Sequence, residues 1–404
     1  MQKNVFRLGS VCSKIGSGAT PTGGKETYQG GGYKLIRSQN VVDLRFAYEG
    51  LAEINEKQAA KLNNVQVEEK DVLLNITGDS VARCCLAPID ILPARVNQHV
   101  AIIRPKAEIL NPYYLLFWLI VNKQYLLALA AAGATRNGLT KAMISGLVLE
   151  CPSLEKQNRI ASILSTYDTL IENNTKRIRL LEKMAENLYK EWFVRFRFPG
   201  HEKVEMENGL PKGWKRGTLS DVVEFQNGFA FKSDTFCNGG MYSIVTIKNV
   251  QAEGFDGSNT DKIAEIPQRM PGYCKLRQGD ILISLTGNIG RVCRVQGYGY
   301  LLNQRVAKLK SSFPFYTYCL FKSDYIFQSL NVISYGTAQL NLSPIKASKI
   351  RVAIPSQKNI EYFEHKVSSM FNELDNLQHQ NTLLARQRDL LLPRLMSGKL
   401  EVTP

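Results

Sequence analysis

Short alternating segments and two long helical stretches dominate the pattern of apolar and polar positions. Runs such as DVLLNIT from Asp71 and DILISLT from Asp280 are short, apolar and bounded by Gly, Asn and Pro, which is typical of strands. The segment from Leu154 to Phe196 contains no Gly or Pro and repeats apolar residues at helical spacing. The pattern therefore predicts a β-rich region followed by a helical one.

The chain carries this plan twice. YKLIRSQNV from Tyr33 is similar to YSIVTIKNV from Tyr242, and VNQHVAIIRP from Val96 is similar to LNQRVAKLKS from Leu302. Segments ending in ECPS and AIPS close the two β-rich regions. The separation falls from 209 through 206 to 203 residues, so the order is kept while loop lengths change. Self-similarity in a fixed order predicts two homologous halves.

The two helical stretches share a seam with steps of four and three residues. The first seam consists of Leu170, Asn174, Arg177, Leu181, Met184 and Leu188, and the second of Leu377, Asn381, Leu384, Arg388, Leu391 and Leu395. Such spacing suits a coiled coil, in which an asparagine at a matched place can fix the register. We expect the two helices to pack on each other antiparallel, because neither mixed seam would suffice alone. In the alternative, each helix packs only on its own domain.

These elements predict an α+β fold. Two repeated globular β-rich domains are separated by two long antiparallel helices that form a coiled coil. We expect β-rich domains at residues 1–152 and 199–355, and helical regions at residues 153–198 and 356–404. The polar, turn-rich stretch from Pro199 to Gly213 marks the linker between the halves.

Charge narrows the choice of partner. The 404 residues include 51 Lys and Arg against 36 Asp and Glu, which gives a formal net charge of +15. A charge of this size indicates a polyanionic partner, either nucleic acid or an anionic membrane surface. The eight cysteines form no C-x-x-C pair and the chain has only four histidines, so neither zinc nor a disulfide framework is expected. This cysteine usage fits a reducing cytosol, and we expect a cytoplasmic protein.

The N-terminal sequence MQKNVFRLGS has no apolar run, so no signal peptide is expected. The stretch from Tyr113 to Ala134 approaches the length of a membrane span, but Lys123 lies at its centre, where a charge in lipid is costly. We interpret it as a buried helix or helix pair and expect no membrane contact.

The glycine-rich stretch from Gly16 to Tyr28 invites comparison with a phosphate-binding P-loop. That motif needs a glycine, four residues and then Gly-Lys-Ser/Thr. Here Ala19 stands where the first glycine belongs, and Glu26 stands where the metal-binding hydroxyl should be. No apolar helical period follows. The stretch is therefore better interpreted as a turn-rich surface loop.

Taken in order, these segments resemble the DNA-specificity (S) subunit of type I restriction-modification systems. The resemblance rests on GATPTGG with YQGGGYKLIRSQNV behind it, NGFAFKS from Asn227, the LTG and NQ elements, the first helical stretch, and LLPRLMSGKL from Leu391. GGGYK departs from the family, in which a proline and a tryptophan are usual. The resemblance covers essentially the whole chain. It implies two target-recognition domains that read a bipartite duplex DNA target, each followed by a helical region.

The resemblance also implies the partners. The subunit docks methyltransferase (M) subunits, expected to be two, and nuclease-translocase (R) subunits. S-adenosylmethionine, ATP and Mg²⁺ are then used by those partners, and this chain binds no cofactor or metal. The sequence agrees, because an Asn-Pro-Pro-aromatic element, a cofactor loop, a nuclease site and a motor motif are all missing. NPYY at Asn111 lacks the second proline and is interpreted as a helix start.

Residues that read DNA must reach base edges, typically Arg to guanine and Asn or Gln to adenine, whereas other cations contact phosphate. The candidates are loop residues of suitable type in the two halves. They are Thr20, Arg37, Gln39, Asn40, Thr135, Arg136, Asn137, Asn227, Lys232, Lys248, Asn249, Gln339 and Asn341. The repeated pairs Thr77-Gly78, Asn97-Gln98, Thr286-Gly287 and Asn303-Gln304 fit a scaffold role at least as well, because they recur in domains that should read different sequences.

Four alternatives stay open at this stage. They are a fragment of a methyltransferase-nuclease fusion, a repeat DNA-binding repressor, another non-enzymatic DNA-binding regulator of this kind, and the specificity subunit of a related type II methyltransferase-nuclease. A fusion enzyme needs a cofactor loop, which is absent. A repressor usually shows a helix-turn-helix and dimer symmetry, whereas the symmetry here is internal.

Overall fold

The computed structural model describes residues 4–20, 30–132, 138–251, 254–258, 260–334 and 341–402. Its internal contacts divide the chain into two compact units. Unit 1 consists of Met1–Ile171 and Leu383–Pro404, and unit 2 consists of Glu172–Thr382.

Unit 1 contains short strands and four short helices. The strands are β1 (Asn4–Arg7), β2 (Cys12–Ser17), β3 (Tyr33–Ile36), β4 (Val41–Val42), β5 (Arg45–Phe46), β6 (Ala52–Ile54), β7 (Val72–Asn75), β8 (Cys84–Leu86), β9 (Ala94–Val96), β10 (Val100–Pro105) and β11 (Val148–Cys151). The helices are α1 (Glu56–Lys61), α2 (Pro112–Val121), α3 (Lys123–Ala131) and α4 (Lys141–Gly146).

The sheets of unit 1 enclose two apolar cores. A four-stranded antiparallel sheet has the order β2-β10-β7-β8, and a three-stranded sheet has the order β6-β3-β9 with β3 and β9 parallel. β1 pairs with β11, and β4 pairs with β5. Alternate residues of β7 explain the division, because Val72 and Leu74 enter one core with α2 while Leu73 enters the other with β3.

Unit 2 repeats these elements after a small hairpin. Its strands are β12 (Met206–Glu207), β13 (Leu210–Pro211), β14 (Lys215–Thr218), β15 (Glu224–Asn227), β16 (Tyr242–Val245), β17 (Val250–Gln251), β18 (Gly254–Phe255), β19 (Asp261–Ile263), β20 (Ile281–Ser284), β21 (Val292–Arg294), β22 (Tyr300–Leu302), β23 (Val306–Lys310) and β24 (Arg351–Ile354). Its short helices are α6 (Pro314–Phe321), α7 (Asp324–Ser334) and α8 (Pro344–Ser348).

Each sheet of unit 1 has a counterpart in unit 2. The order β15-β23-β20-β21 matches the four-stranded sheet, and β19-β16-β22 matches the three-stranded one, including its parallel pair. β14 pairs with β24 as β1 pairs with β11, and the hairpin β17-β18 matches β4-β5. The predicted repeat of a β-rich fold is therefore confirmed strand by strand.

Two long helices follow the β-rich regions. They are α5 (Leu154–Tyr189), which continues as a π-helical turn at Lys190–Val194, and α9 (Gln357–Ser397). Both are amphipathic and lack an interior break except Pro393 near the end of α9. Pro393 has no N–H to donate to the carbonyl of Asp389, so one intrahelical hydrogen bond is missing four residues before α9 ends.

The long helices pack antiparallel, as predicted. Within unit 1, Arg388 donates to Asp168 at 2.5 Å. Within unit 2, Arg177 donates to Glu373 at 2.7 Å, and Asn174 donates to Gln380 at 3.4 Å. Partner numbers fall along α9 as they rise along α5, which is the signature of opposite chain directions.

The seam asparagines do not pair with each other. Asn174 contacts Gln380, and Asn381 donates to Thr175 at 3.4 Å. Each asparagine therefore meets a polar residue of the other helix, and the two bonds form a matched pair across unit 2. This arrangement is compatible with a role in fixing the register.

Most predicted seam positions are buried or half-buried, but Leu170, Arg177 and Met184 are exposed. Leu377 and Leu395 are 1% and 2% exposed. Leu181, Leu188 and Leu391 pack against the cores, while Leu384 is half-buried. Leu170 and Met184 are 44% and 53% exposed, so neither side chain is enclosed by the packing of the helices. α5 also packs on the core of unit 2 through Ala185 and Tyr189, so its buried face includes positions outside the predicted seam.

The apolar stretch after Asn111 forms a helix pair, as expected. Asn111 caps α2 by accepting from the backbone N–H groups of Tyr113 and Tyr114 at 2.9 and 3.1 Å, and Pro112 occupies the first turn. A 66° bend at Asn122 separates α2 from α3, and most of α2 is buried in the core. Among the described residues, no single helix has the length and apolar composition of a membrane span; only this bent pair reaches them together.

Candidate nucleic-acid interface

The candidate loops of unit 1 gather at one end of its four-stranded sheet. β2 and β7 end there and β10 begins there, because Val100 pairs with Asn75 and Ala101 pairs with Ser17. The segments that leave these strand ends contain the start of the glycine-rich stretch, the Thr-Gly loop and the Asn-Gln pair. We call this end of the sheet the loop edge.

Unit 2 has the same loop edge. Asn227 at the end of β15 pairs with Ala307 of β23, and Ser284 at the end of β20 pairs with Val306. Lys232 follows β15 in the chain, at the counterpart of the glycine-rich stretch. The two units therefore bring their candidate loops to equivalent places.

Gly18 and Gly228 occupy matched positions just after the first strand of each four-stranded sheet. A Cβ on Gly18 would overlap the carbonyl oxygen of Val96, and a Cβ on Gly228 would overlap that of Asn303. The backbone N–H of Gly18 also donates to the Asn97 carbonyl at 3.1 Å. Glycine is thus needed for close backbone approach. This accounts for Gly18 without phosphate binding.

A chain of hydrogen bonds connects three segments at the loop edge of unit 1. Thr20 contacts Gln98, whose amide lies 3.1 Å from His99 Nε2, and His99 Nδ1 lies 2.6 Å from the Thr77 hydroxyl. Thr77 in turn pairs with Gly138 across an isolated antiparallel bridge. The network therefore links the glycine-rich stretch, the Thr-Gly loop and the segment that begins at Gly138.

Four candidates from the sequence lie outside the described residues. They are Thr135, Arg136, Asn137 and Gln339. The first three directly precede Gly138 in the chain. In unit 2, Asn341 is exposed and pairs with Thr286 as Gly138 pairs with Thr77.

Asn40 holds together the turn at the loop edge of unit 1. Its Oδ1 accepts from the Arg37 N–H at 3.0 Å, and its Nδ2 donates to the carbonyls of Ala47 and Glu49 at 2.9 and 3.3 Å. The side chain is fully buried. It thereby fixes a short helical turn and the hairpin β4-β5 that follows.

Asn249 does the same in unit 2, with the same spacing along the chain. Its Oδ1 accepts from the Thr246 N–H at 2.8 Å, and its Nδ2 donates to the carbonyls of Asp256 and Ser258 at 2.8 and 3.1 Å. Both amide hydrogens of each asparagine are therefore used inside the protein. This differs from the base-reading role expected from sequence for Asn40 and Asn249, because no donor remains for an adenine edge.

The residue before each asparagine is exposed. It is Gln39 in unit 1 and Lys248 in unit 2. Arg37 and Gln39 donate to the Gly50 carbonyl at 2.6 and 3.1 Å, which orients both side chains on the same turn. Lys248 has no side-chain hydrogen bond within the described residues. The same buried scaffold thus presents different side chains in the two units.

Three cations at the loop edges escaped the sequence interpretation. Arg83 and Arg291 directly precede β8 and β21, and Arg305 precedes β23 at the position that His99 holds in unit 1. Arg83 and Arg305 are exposed. Extending the repeat alignment through GDSVARCCL and GNIGRVCRV would have revealed the first two, but loops of unequal length hide the match.

No group of three or more His, Cys, Asp or Glu residues that could hold a metal ion occurs in the described ranges. All eight cysteines are described and free, and only Cys237 is exposed. Cys12 is the first residue of β2, at the end of the strand away from the loop edge, and burial raises the pKa of its thiol to about 12, so this thiol stays protonated. The arrangement is suited to binding and orienting a polyanion.

Comparisons with known proteins bear on the family and the fold of the chain. A family model described as the type I restriction modification DNA specificity domain matches residues 2–183 and again residues 211–385. The type I restriction enzyme MjaIX specificity subunit of Methanocaldococcus jannaschii is 26% identical over 405 residues, covering 96% of this chain and 91% of the relative. The HindI specificity subunit of Haemophilus influenzae is 25% identical over 373 residues, covering 76% and 81%.

A solved structure has a similar fold. The type I restriction-modification S subunit from M. genitalium superposes with a TM-score of 0.56 at 15% identity, covering 100% of this chain and 97% of that one. At this identity the likeness concerns the fold alone.

Proposed function

The chain belongs to the family of type I restriction modification DNA specificity domains, and from this premise we propose that it selects the DNA target of a type I restriction-modification enzyme. The two loop edges each contact one half of a bipartite duplex target. The chain binds and positions DNA, and its partners carry out the chemistry.

The repeated asparagine scaffold is the observation that carries this proposal. Asn40 and Asn249 make the same three kinds of backbone contact in two units, while the exposed residue beside them changes from Gln39 to Lys248. Two domains that read different half-targets need the same backbone support with different exposed side chains, and the asparagine-held turns have this property. A repressor with one recognition helix per subunit would not need it.

The net charge of +15 supports the choice of DNA as partner. Lys232 and Lys248 are exposed at the loop edge of unit 2, and Arg37 lies at that of unit 1. We assign residues 1–152 and 199–355 to the two target-recognition domains. Gln39, Lys248, Asn227 and Asn341 are the described candidates for contacts to bases or phosphates, together with Thr20, Arg37 and Lys232.

The partners follow from the same premise. We propose that the long helices dock two methyltransferase subunits, and that restriction subunits join the complex for cleavage. Leu170 and Met184, which are exposed on α5, are available for such docking. S-adenosylmethionine, ATP and Mg²⁺ are used by those partner subunits, in the cytoplasm.

Reconstitution with the methyltransferase partner tests the proposal. The purified chain alone, given S-adenosylmethionine, ATP and Mg²⁺, transfers no methyl group and cleaves no DNA. Adding the methyltransferase partner produces adenine methylation at one bipartite sequence, found by sequencing the methylated genome of a host that expresses both. Methyl transfer by the chain alone, or methylation by the complex without any shared sequence, contradicts the proposal.

A further inference from the structure

Arg83 and Arg291 occupy the same position in the two units, although the loops before them differ in length. Strand pairing defines the match: Cys84 pairs with Leu74 in unit 1, and Val292 pairs with Ile283 in unit 2, so each arginine lies one residue before its strand. Six residues separate Asn75 from the residue before Arg83, whereas five separate Ser284 from the residue before Arg291.

The same backbone hydrogen bonds surround the two arginines. The Asn75 N–H donates to the Arg83 carbonyl at 2.8 Å, and the Ser284 N–H donates to the Arg291 carbonyl at 3.0 Å. The preceding residue closes the loop in both units, because its N–H donates back to Asn75 at 2.9 Å or to Ser284 at 3.1 Å.

That preceding residue has a left-handed backbone in both units. It is Ala82 with φ of 64° in unit 1 and Gly290 with φ of 77° in unit 2. Alanine costs roughly 1–2 kcal/mol in this region, whereas glycine adopts it freely. Unit 1 nevertheless forms the same turn with alanine at this position.

Both arginines lie beside the hairpin that follows the turn with the exposed Gln39 or Lys248. The Cys84 carbonyl, next to Arg83, accepts from the Leu44 N–H at 2.9 Å in the turn of hairpin β4-β5. In unit 2, Arg291 itself donates to the Gln251 side chain on β17 at 2.9 Å. Arg83 is exposed, and its guanidinium has no hydrogen bond or ion pair in the described part of the chain.

We propose that Arg83 and Arg291 are a matched pair of phosphate contacts, one in each unit, that seat each loop edge on the DNA backbone without reading sequence. This inference rests on the proposed function. Two domains that read different half-targets share the phosphate backbone, so a cation conserved in type and position between them belongs to the shared contact. Arg37 and Thr246 also occupy matched positions, but they differ in residue type, so this argument does not apply to them.

Salt dependence of DNA binding measures these contacts directly. The chain in complex with its methyltransferase partner is titrated with a duplex that carries its methylated target sequence, at several salt concentrations. Because log K changes by about 0.9 per log unit of salt for each phosphate neutralised, Arg83→Gln and Arg291→Gln each reduce the slope by about 0.9. The double variant reduces it by about 1.8, and Arg83→Lys keeps the original slope.

Arg277→Gln is the matched control. Arg277 is exposed and lies before the start of β20, at the opposite end of that strand from Arg291. Its replacement removes the same charge from unit 2 and leaves the slope within the error of the parent. Thermal unfolding of each variant confirms that the fold is kept.

Binding-site selection on random duplexes separates a phosphate contact from base reading. The selected sequence stays the same in both arginine variants while affinity falls. An unchanged salt slope, or a selected sequence altered in one half, overturns the inference and leaves the proposed function intact. Failure of the parent complex to select any sequence counts against the proposed function itself.

Discussion

Asn40 and Asn249 illustrate how residue type alone misleads. Asparagine suits adenine recognition, and both residues fall at matched places in predicted loops, so the sequence indicated DNA contact. Burial reverses the interpretation, because each side-chain amide accepts one hydrogen bond from, and donates two to, backbone groups of nearby residues. Their recurrence at a separation of 209 residues was the signal for a scaffold role.

Replacing a scaffold asparagine should therefore destabilise the fold. Asn249→Ala leaves the carbonyls of Asp256 and Ser258 and the N–H of Thr246 without a partner, and we expect a loss of about 2–3 kcal/mol in the free energy of unfolding. Lys248→Gln, one residue away and exposed, should change unfolding by less than about 0.5 kcal/mol while weakening DNA binding. Urea unfolding and DNA titration of both variants check this. Equal stability of the two variants would show that the Asn249 side chain does not stabilise the turn.

Glu364 makes the stability of unit 2 depend on pH. Burial raises the pKa of this carboxyl to about 7 from its ordinary 4.5, and it accepts from the Tyr316 N–H at 2.6 Å. The folded chain thus keeps a proton that the unfolded chain loses near pH 4.5. The contribution to stability is fully present below pH 4.5 and is lost as the pH rises to about 7, at no more than about 1.4 kcal/mol per pH unit.

Glu364→Gln should flatten this part of the profile. The neutral amide resembles the protonated acid, so the free energy of unfolding of the variant should fall less between pH 5 and 7 than that of the parent. Glu361→Gln, at an exposed position one turn earlier on the same helix, should retain the parental slope. Urea unfolding at half-unit pH intervals gives the comparison. A parental slope in Glu364→Gln would show that another group titrates.

At the scale of elements, apolar patterning predicted β-rich regions and both long helices, and the two mixed seams predicted that the helices pack antiparallel. It identified the contact face less well. Leu377 is buried as predicted, whereas Leu170 and Met184 lie on the solvent side. The seam was predicted from steps of four and three residues, which assumes that α5 packs only on the other long helix. α5 also packs on the aromatic core of unit 2 through Ala185 and Tyr189. Two simultaneous packing partners shift the buried face in a way that one helix sequence does not specify.

The contact face can be tested with two truncations. Leu377→Ala removes a side chain that is 1% exposed and should cost about 2–5 kcal/mol in the free energy of unfolding. Met184→Ala truncates a side chain that is 53% exposed and should cost less than about 0.5 kcal/mol. Denaturant midpoints of the isolated chain provide the measurement. A large loss of unfolding free energy in Met184→Ala would show that Met184 packs in the seam, as expected from sequence.

At the scale of the whole molecule, duplication explains how one chain can address a two-part target. The sequence revealed the duplication because nine-residue segments recur in order, and the strand pairing of the two units confirms it. The reading residues were harder to identify. Loops of unequal length concealed the match between Arg83 and Arg291, and contacts such as that between Thr20 and Gln98 join residues 78 positions apart.

Exchange of one recognition domain tests the central claim most directly. Residues 1–152 are replaced by the corresponding domain of another family member with a different target, and the methylated genome of a host expressing the chimaera and its methyltransferase partner is sequenced. Because each unit has its own cores and its own loop edge, we predict that one half of the target changes to that of the donor while the other half is unchanged. A chimaera that methylates with both halves altered, or with neither altered, would contradict the account.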